Sequence, residues 1–376
     1  MPRLVRTCVL LVLSLVAQGA AALDAAASPQ QVASPQQVAG SPQVTAPLKV
    51  KVVVVSMFEN GAVTGDRPGE LQYWVERWPL AQAFDFPLGE FPLQWSPDGV
   101  LAICTGGGIP NATASILALG LDPRFDLSQA YWLIAGIAGG DPQDTSLGSA
   151  VWASHVVDGD LLYEIDGREI PDDWPWGLIP LGAKHPATKP EDIKTGWTLD
   201  TVHFALDAQL SAWALDITRN VELEDTQEMR DFRARFTDQP EARKPPSVMR
   251  GDTLSSSTYW HGGLLNEWAN AWVPAYAGPG ANFVTTNMED SGTLTALHRL
   301  GRTGRVDPRR VLVLRTVSNY SMPPAGETTA WSTTAPYPDE GRPALETAWR
   351  VGSVVVRELV NNWAVHAGTL PGRDAQ

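Results

Sequence analysis

Four consecutive valines, Val52–Val55 in KVVVVSM (51–57), constrain this chain more than any other stretch. A run without polar alternation has no face to offer water, so its sheet must be covered on both sides. Strands of that kind run mostly parallel and need long, usually helical, crossovers between them. The following sequence supplies both parts. LAICT (101–105) leads into GGGIPNATASILALGL, a glycine turn followed by an alanine-rich helical pattern. QAYWLIAGIAGG (129–140) is a second buried run ending in glycines, SAVWASHVV follows as a strand, and RRVLVLRTVS (309–318) is a late one. ALETAWRVGSVVVRELVNNWAVHA (344–367) has the periodicity of an amphipathic helix. This alternation predicts an α/β fold with a mixed, mostly parallel sheet between helical layers, a three-layer α/β/α sandwich.

The folded domain is expected over residues 48–370. Ahead of it, MPRLVRT places Arg3 and Arg6 before the apolar CVLLVLSLVA and the small residues AQGAAAL, the pattern of a secretory signal peptide over residues 1–23. Residues 24–47 contain SPQQVASPQQVAGSPQVTAP, an imperfect Ser-Pro-Gln repeat that cannot build a core and reads as an extended, disordered linker. No later stretch reaches membrane-spanning length. Cys8 falls in the leader, so Cys104 is left without an intrachain partner, and the core is expected to hold without a disulfide. Together these features predict an exported protein, of the bacterial periplasm. With 28 basic against 42 acidic residues, the net charge of −14 argues against a nucleic-acid partner, which would call for a basic face. Residues 165–245, richer in Pro, Asp, Glu and Trp, read as an insertion over the core.

Five short motifs carry groups that can do chemistry. TGGGIPNATASI (105–116) puts Gly106, Gly107 and Gly108 between a strand and a helix, where backbone can approach an anion or polar oxygen; a tight packing turn would look the same. AGIAGG (135–140), with Gly136 and Gly139, repeats that arrangement at a second strand end. In TTNMEDSG (285–292), Met288, Glu289 and Asp290 open a helical pattern, where a carboxylate can accept two sugar hydroxyls or simply favour the helix start. GDTLSSSTYWHG (251–262) sets small hydroxyls beside Tyr259 and Trp260, suited to a planar heterocycle or to a core. The strand RVLVLRTVSNYSMPP (310–324) ends on Ser318 and Asn319, either the lip of a pocket or a turn. The six histidines show no metal-ligand spacing, and neither metal nor cofactor is expected. Among them only His261 has site-like neighbours.

The order TGGGIPNATASI, LIAGIAGGDPQDTSLGSAVW, GDTLSSSTYWHG, TTNMEDSG and VLVLRTVSN resembles the nucleoside phosphorylase superfamily. SMFE, YEIDGREIPDDW, TYWHG, NMEDSGT and LRTVSN narrow the resemblance to the purine nucleoside permeases, across residues 50–365. It implies a phosphorylase-type domain that recognises purine nucleosides, with homo-oligomers common. By the same resemblance Met288 and Glu289 hold the ribose. Asn319, beside Ser318, contacts the purine, and Tyr259 or Trp260 contacts the base. The loops at Gly106–Gly108 and at Gly136 and Gly139 surround the anion or water site. Hexameric phosphorylases carry a phosphate-binding arginine where Ile134 stands here, with no replacement nearby, so phosphate becomes the lesser co-substrate. Nucleosidases use an early glutamate to activate water, a role open to Glu59 or Glu70. The resemblance thus implies cleavage of the N-glycosidic bond by water ahead of phosphorolysis. The alternative is a nucleoside-binding component that assists transport without catalysis.

Overall fold

The computed structural model describes residues 46–193 and 200–373. The leader and most of the linker predicted above lie outside the described residues. Ten strands carry the main sheet: β1 (Val52–Ser56), β2 (Gln82–Phe84), β3 (Leu93–Ser96), β4 (Val100–Cys104), β5 (Tyr131–Gly140), β6 (Ala150–Asp158), β7 (His203–Ala205), β8 (Val248–Ser255), β9 (Phe283–Asn287) and β10 (Val311–Tyr320). The valine run is β1, and all five of its residues are buried. It lies between β4 and β5 and is parallel to both.

Alternation along β1 sends its side chains to two cores. Val53 and Val55 join a cluster with Ile116 and Leu119 of helix α2 (Ile109–Leu121). Val52 and Val54 join another cluster on the opposite face. Trp74 of helix α1 (Gln72–Arg77) and Leu210 of helix α3 (Ala208–Thr218) contribute to it. The helix expected at the carboxyl end also belongs there. It spans Arg342–Asn361 and buries Trp349, Val355, Val356 and Leu359. Within the stretch read as an insertion, β7 pairs with β6, and α3 packs against the sheet.

The sheet departs from the predicted layered sandwich, which requires an open sheet. Strand β10 pairs with β5 in parallel and with β6 antiparallel. Since β6 also pairs with β8, β8 with β9 and β9 with β5, five strands close a ring. The expected arrangement therefore gives way to a mixed α/β sheet whose one end is a closed five-strand barrel. The physical reason is visible in β10: all ten of its residues are buried, and the barrel satisfies hydrogen bonds on both its edges.

Helix α4 (Gly263–Ala277) covers the barrel with Trp268 and Trp272. Helix α5 (Asp290–Gly301) packs along α2. Gly292 sets the separation of these two helices, because a Cβ there would stand 2.4 Å from the Ile109 carbonyl oxygen and 2.8 Å from Thr113 Oγ1. Gly292→Ala is expected to force α5 off α2 and to cost about 1–3 kcal/mol, the usual range for overpacking. A lowered urea midpoint at unchanged slope would register it; an unchanged midpoint would show that the helices are free to separate.

Candidate active site

The ends of β1, β5, β9 and β10 converge on a cavity of about 140 Å³. Its wall includes Glu70, Gly139, Met288, Glu289, Ser318 and Asn319. Tyr259 and Trp260 line it as well, so motifs scattered over 250 residues of sequence meet in one place.

A register shift explains why Ser318 and Asn319 both face the cavity. Val317 pairs with Ala138 and Asn319 with Gly139, so Ser318 is the extra residue of a β-bulge. The bulge turns two successive side chains toward one space, which regular alternation forbids. Ser318 Oγ has one proton and two acceptors in reach, Asn319 Oδ1 at 2.9 Å and the Ala138 carbonyl at 3.2 Å, while Asn319 Nδ2 donates to the Tyr320 carbonyl at 3.3 Å and so fixes which way the amide faces. The amide is thereby oriented, and its second N–H remains for a ligand.

Asn287 organises the acidic end. Its Oδ1 accepts the backbone N–H groups of Glu289 and Asp290 at 3.1 and 2.9 Å, closing the start of α5. Asp290, fully buried, then takes Arg315 in a two-pronged pair, Nε to Oδ2 at 3.1 Å and Nη2 to Oδ1 at 2.5 Å. Arg315 also donates to the Ile137 carbonyl at 2.9 Å and to Glu289 Oε2 at 3.4 Å. The other Glu289 oxygen accepts the Gly108 N–H at 3.3 Å, so the glycine turn at the head of α2 meets the cavity through this carboxylate. Burial pushes the Glu289 pKa up, and the Arg315 charge opposes the shift.

The two early glutamates separate clearly. Glu59 accepts the N–H groups of Asn60, Gly69, Leu71 and Gln72; this carboxylate braces the turn into α1 and is not part of the cavity wall. Glu70 is on the wall. Its Oε2 accepts the Met57 N–H at 2.7 Å and its Oε1 the Ile137 N–H at 2.8 Å. Burial raises its pKa from 4.5 to about 8, against the pull of Arg315 and with the push of Glu289. Glu70 therefore holds its proton at neutral pH and releases it just above.

Gly136 must be glycine, since a Cβ there would strike Met57 Cε, Glu70 Oε1 and Arg315 Nη1, all within 2.9 Å. Gly106 and Gly107 are not on the cavity wall; a Cβ on Gly106 would lie 2.8 Å from the Glu90 carboxylate. Trp260 is buried against Trp268 and Phe283, whereas Tyr259 is half-exposed and meets the Tyr337 hydroxyl with its own. His261 is also buried, with Nδ1 3.1 Å from Ser332 Oγ in helix α6 (Thr329–Thr334).

Sequence reasoning missed Arg315, Phe58, Ser321 and Tyr337. Ile134 stands where the resemblance places a phosphate-binding arginine, and the fold brings Arg315 to the cluster from another strand. One signal was available: Arg315 is the single charge within the apolar run 311–320. Tyr337 gave none, because it reaches the mouth of the cavity only through the path of the chain after β10.

Residues 49–371 match the profile of a family described as purine nucleoside permease (NUP). A purine nucleoside permease of Candida albicans is 31% identical over 268 residues, 70% of this chain and 64% of the relative. The chain thus spans just under two thirds of that relative's length. A probable purine nucleoside permease of Schizosaccharomyces pombe is 30% identical over 273 residues, 70% of this chain and 77% of that protein. Among solved structures, a 5'-methylthioadenosine/S-adenosylhomocysteine nucleosidase of Neisseria meningitidis aligns at a TM-score of 0.47 and 16% identity, covering 83% of this chain and 99% of its own. A futalosine hydrolase of Helicobacter pylori aligns at 0.46 and 15% identity, over 81% and 97%.

The raised Glu70 pKa makes stability depend on pH. Between 4.5 and about 8 the native chain keeps a proton that the unfolded chain has lost, so this residue's contribution falls as pH rises through that window and then levels. Glu70→Gln abolishes this term. Relative to the parent, the variant is expected to gain on the order of a few kcal/mol from pH 4.5 to pH 9. Parallel stability curves for the two proteins would mean that Glu70 titrates normally.

Proposed function

The chain belongs to the purine nucleoside permease family, and we propose that its cavity binds a purine nucleoside and cleaves the N-glycosidic bond with water. The observation that carries this reading is the convergence of Glu70, Glu289 and Asn319 on one cavity. An ionised Glu289 offers acceptors to the two ribose hydroxyls and negative charge to the positive sugar ring that develops as the bond breaks. Asn319 offers its free amide N–H to the base at N7. Glu70, with a pKa of about 8, can accept a proton from water once it has ionised, just above neutrality. In this step a water oxygen bonds to C1′ while one of its protons passes to Glu70. The C1′–N9 electron pair leaves with the base, which then takes a proton from solvent.

Water is favoured over phosphate by the electrostatics of the cluster. Arg315 commits its guanidinium to Asp290, Glu289 and the Ile137 carbonyl, and three carboxyl groups surround it. A phosphate dianion would meet repulsion without a free cation among these groups.

The family's description favours a second reading, in which the same cavity binds a nucleoside for transport without cleaving it. Among the described residues no helix is long and apolar enough to cross a membrane. The leader-like pattern of residues 1–23 supports export under either reading.

The test is incubation of the chain with adenosine and inosine, with and without phosphate, following free base and sugar. Base and free ribose without phosphate are expected, with a rate that climbs as Glu70 loses its proton through pH 8. Glu70→Gln should stop cleavage but retain binding, and Glu289→Gln should weaken binding by about tenfold to hundredfold, as expected for lost charge-assisted hydrogen bonds. Tight binding with no released base would favour the transport reading. Ribose 1-phosphate as the product would exclude hydrolysis.

A further inference from the structure

Ser321 lies two residues beyond Asn319, follows β10, and also lines the cavity. Its hydroxyl has a single proton and two acceptors already in place, Asn266 Oδ1 at 2.5 Å and the Gly140 carbonyl at 3.0 Å. A buried chain of partners sets that polarity. Asp141, fully buried, accepts the Gln143 N–H at 2.9 Å and the side-chain amides of Asn266 and Asn270 at 3.1 and 2.6 Å. Because a carboxylate only accepts, the Asn266 amide nitrogen must face Asp141 and its oxygen must face Ser321. Ser321 therefore spends its proton on the protein, whichever acceptor takes it, and has only lone pairs left for a ligand.

The neighbouring Asn319 has the opposite character. Its Nδ2 gives one hydrogen to the Tyr320 carbonyl, which turns its oxygen toward Ser318 and leaves the second N–H for a ligand. The cavity wall thus presents a donor and an acceptor from residues two apart. On a purine, N7 is an acceptor whatever the substituent at C6; a 6-amino group beside it donates, and a 6-oxo group accepts. With N7 on Asn319, a 6-amino group faces a lone pair of Ser321, whereas a 6-oxo group would set acceptor against acceptor.

We propose that Ser321, oriented through Asn266 and Asp141, selects 6-aminopurine nucleosides over 6-oxopurine nucleosides. This inference rests on the nucleoside reading of the cavity given above and adds the identity of the base. To satisfy a 6-oxo group, Ser321 would have to withdraw its proton from Asn266 and Gly140, leaving a buried acceptor unpaired. A site built around a specific polar pattern rejects the mismatched analogue for this reason.

Calorimetric titration of the Glu70→Gln chain, used so that cleavage does not run during the measurement, tests the inference with adenosine, inosine and 7-deazaadenosine. Adenosine is expected to bind at least about tenfold more tightly than inosine, as for one mismatched hydrogen bond. 7-Deazaadenosine, which lacks the N7 acceptor, should bind more weakly than adenosine. Adding Ser321→Ala should bring the adenosine-to-inosine ratio to within about threefold, with the fold checked by circular dichroism. The ratio in the protein with Ser321 intact stands as a test even if that variant fails to fold. Equal binding, or preference for inosine, overturns the inference and leaves nucleoside binding standing. Discrimination that survives Ser321→Ala overturns the role of Ser321, and 7-deazaadenosine binding as tightly as adenosine overturns the placement of N7. If no nucleoside binds, the functional reading fails and this inference fails with it.

Discussion

The pairing of Arg315 with Asp290 underlies the rest of the site. Both side chains are essentially excluded from water, 1% and 0% exposed, and an ion pair so deep survives only with close geometry and further hydrogen bonds to its charged groups. Here the Ile137 carbonyl and Glu289 take the remaining Arg315 contacts. One cation then stands among three carboxyl groups, and they cannot all ionise cheaply in a poorly polarisable surrounding. Glu70 is the group that keeps its proton near neutrality. The same pair fixes one Glu289 oxygen, while the Gly108 N–H fixes the other. The acidic end of the cavity is therefore a single coupled unit, in which the proton on one carboxyl group depends on the charge of its neighbours.

The backbone makes that unit possible at two points. Closure of the barrel places β10 between β5 and β6, so Arg315 and Asn319 point into a region already walled by the glycines of β5. Gly136 then leaves just enough space for Glu70, Met57 and Arg315 to meet. At the end of the strand the bulge at Ser318 breaks the alternation, and the two polar residues of VSN face the cavity together. A regular strand would have sent one of them to the opposite side.

Hydrogen-bond polarity defines the other end of the cavity in the way that charge defines the acidic end. Asp141, Asn266 and Ser321 form a chain in which each partner fixes the next. All three are at most 1% exposed, so bulk water does not compete for the hydrogen bonds that join them.

How much of this was legible beforehand depended on the range of the interaction concerned. The valine run, the glycine-ended strands and the amphipathic carboxyl-terminal helix are local patterns, and they determined an α/β fold with a mixed sheet. The motif resemblance likewise determined the family, and it singled out Glu289, Asn319, Tyr259 and Trp260, all of which lie on one cavity. Barrel closure was not legible, because a buried strand reads the same whether its second edge meets an open sheet or closes a ring. Glu59 and Glu70 could not be told apart either. Both are early glutamates in one loop, and only packing reveals that the first is consumed by backbone N–H groups while the second is buried beside Arg315. The sequence by itself determined which groups were available and what lay next to them along the chain. Tertiary structure alone decided which were buried together, and a carboxyl group's proton, an arginine's partners and a hydroxyl's direction all depend on neighbours that are distant in sequence.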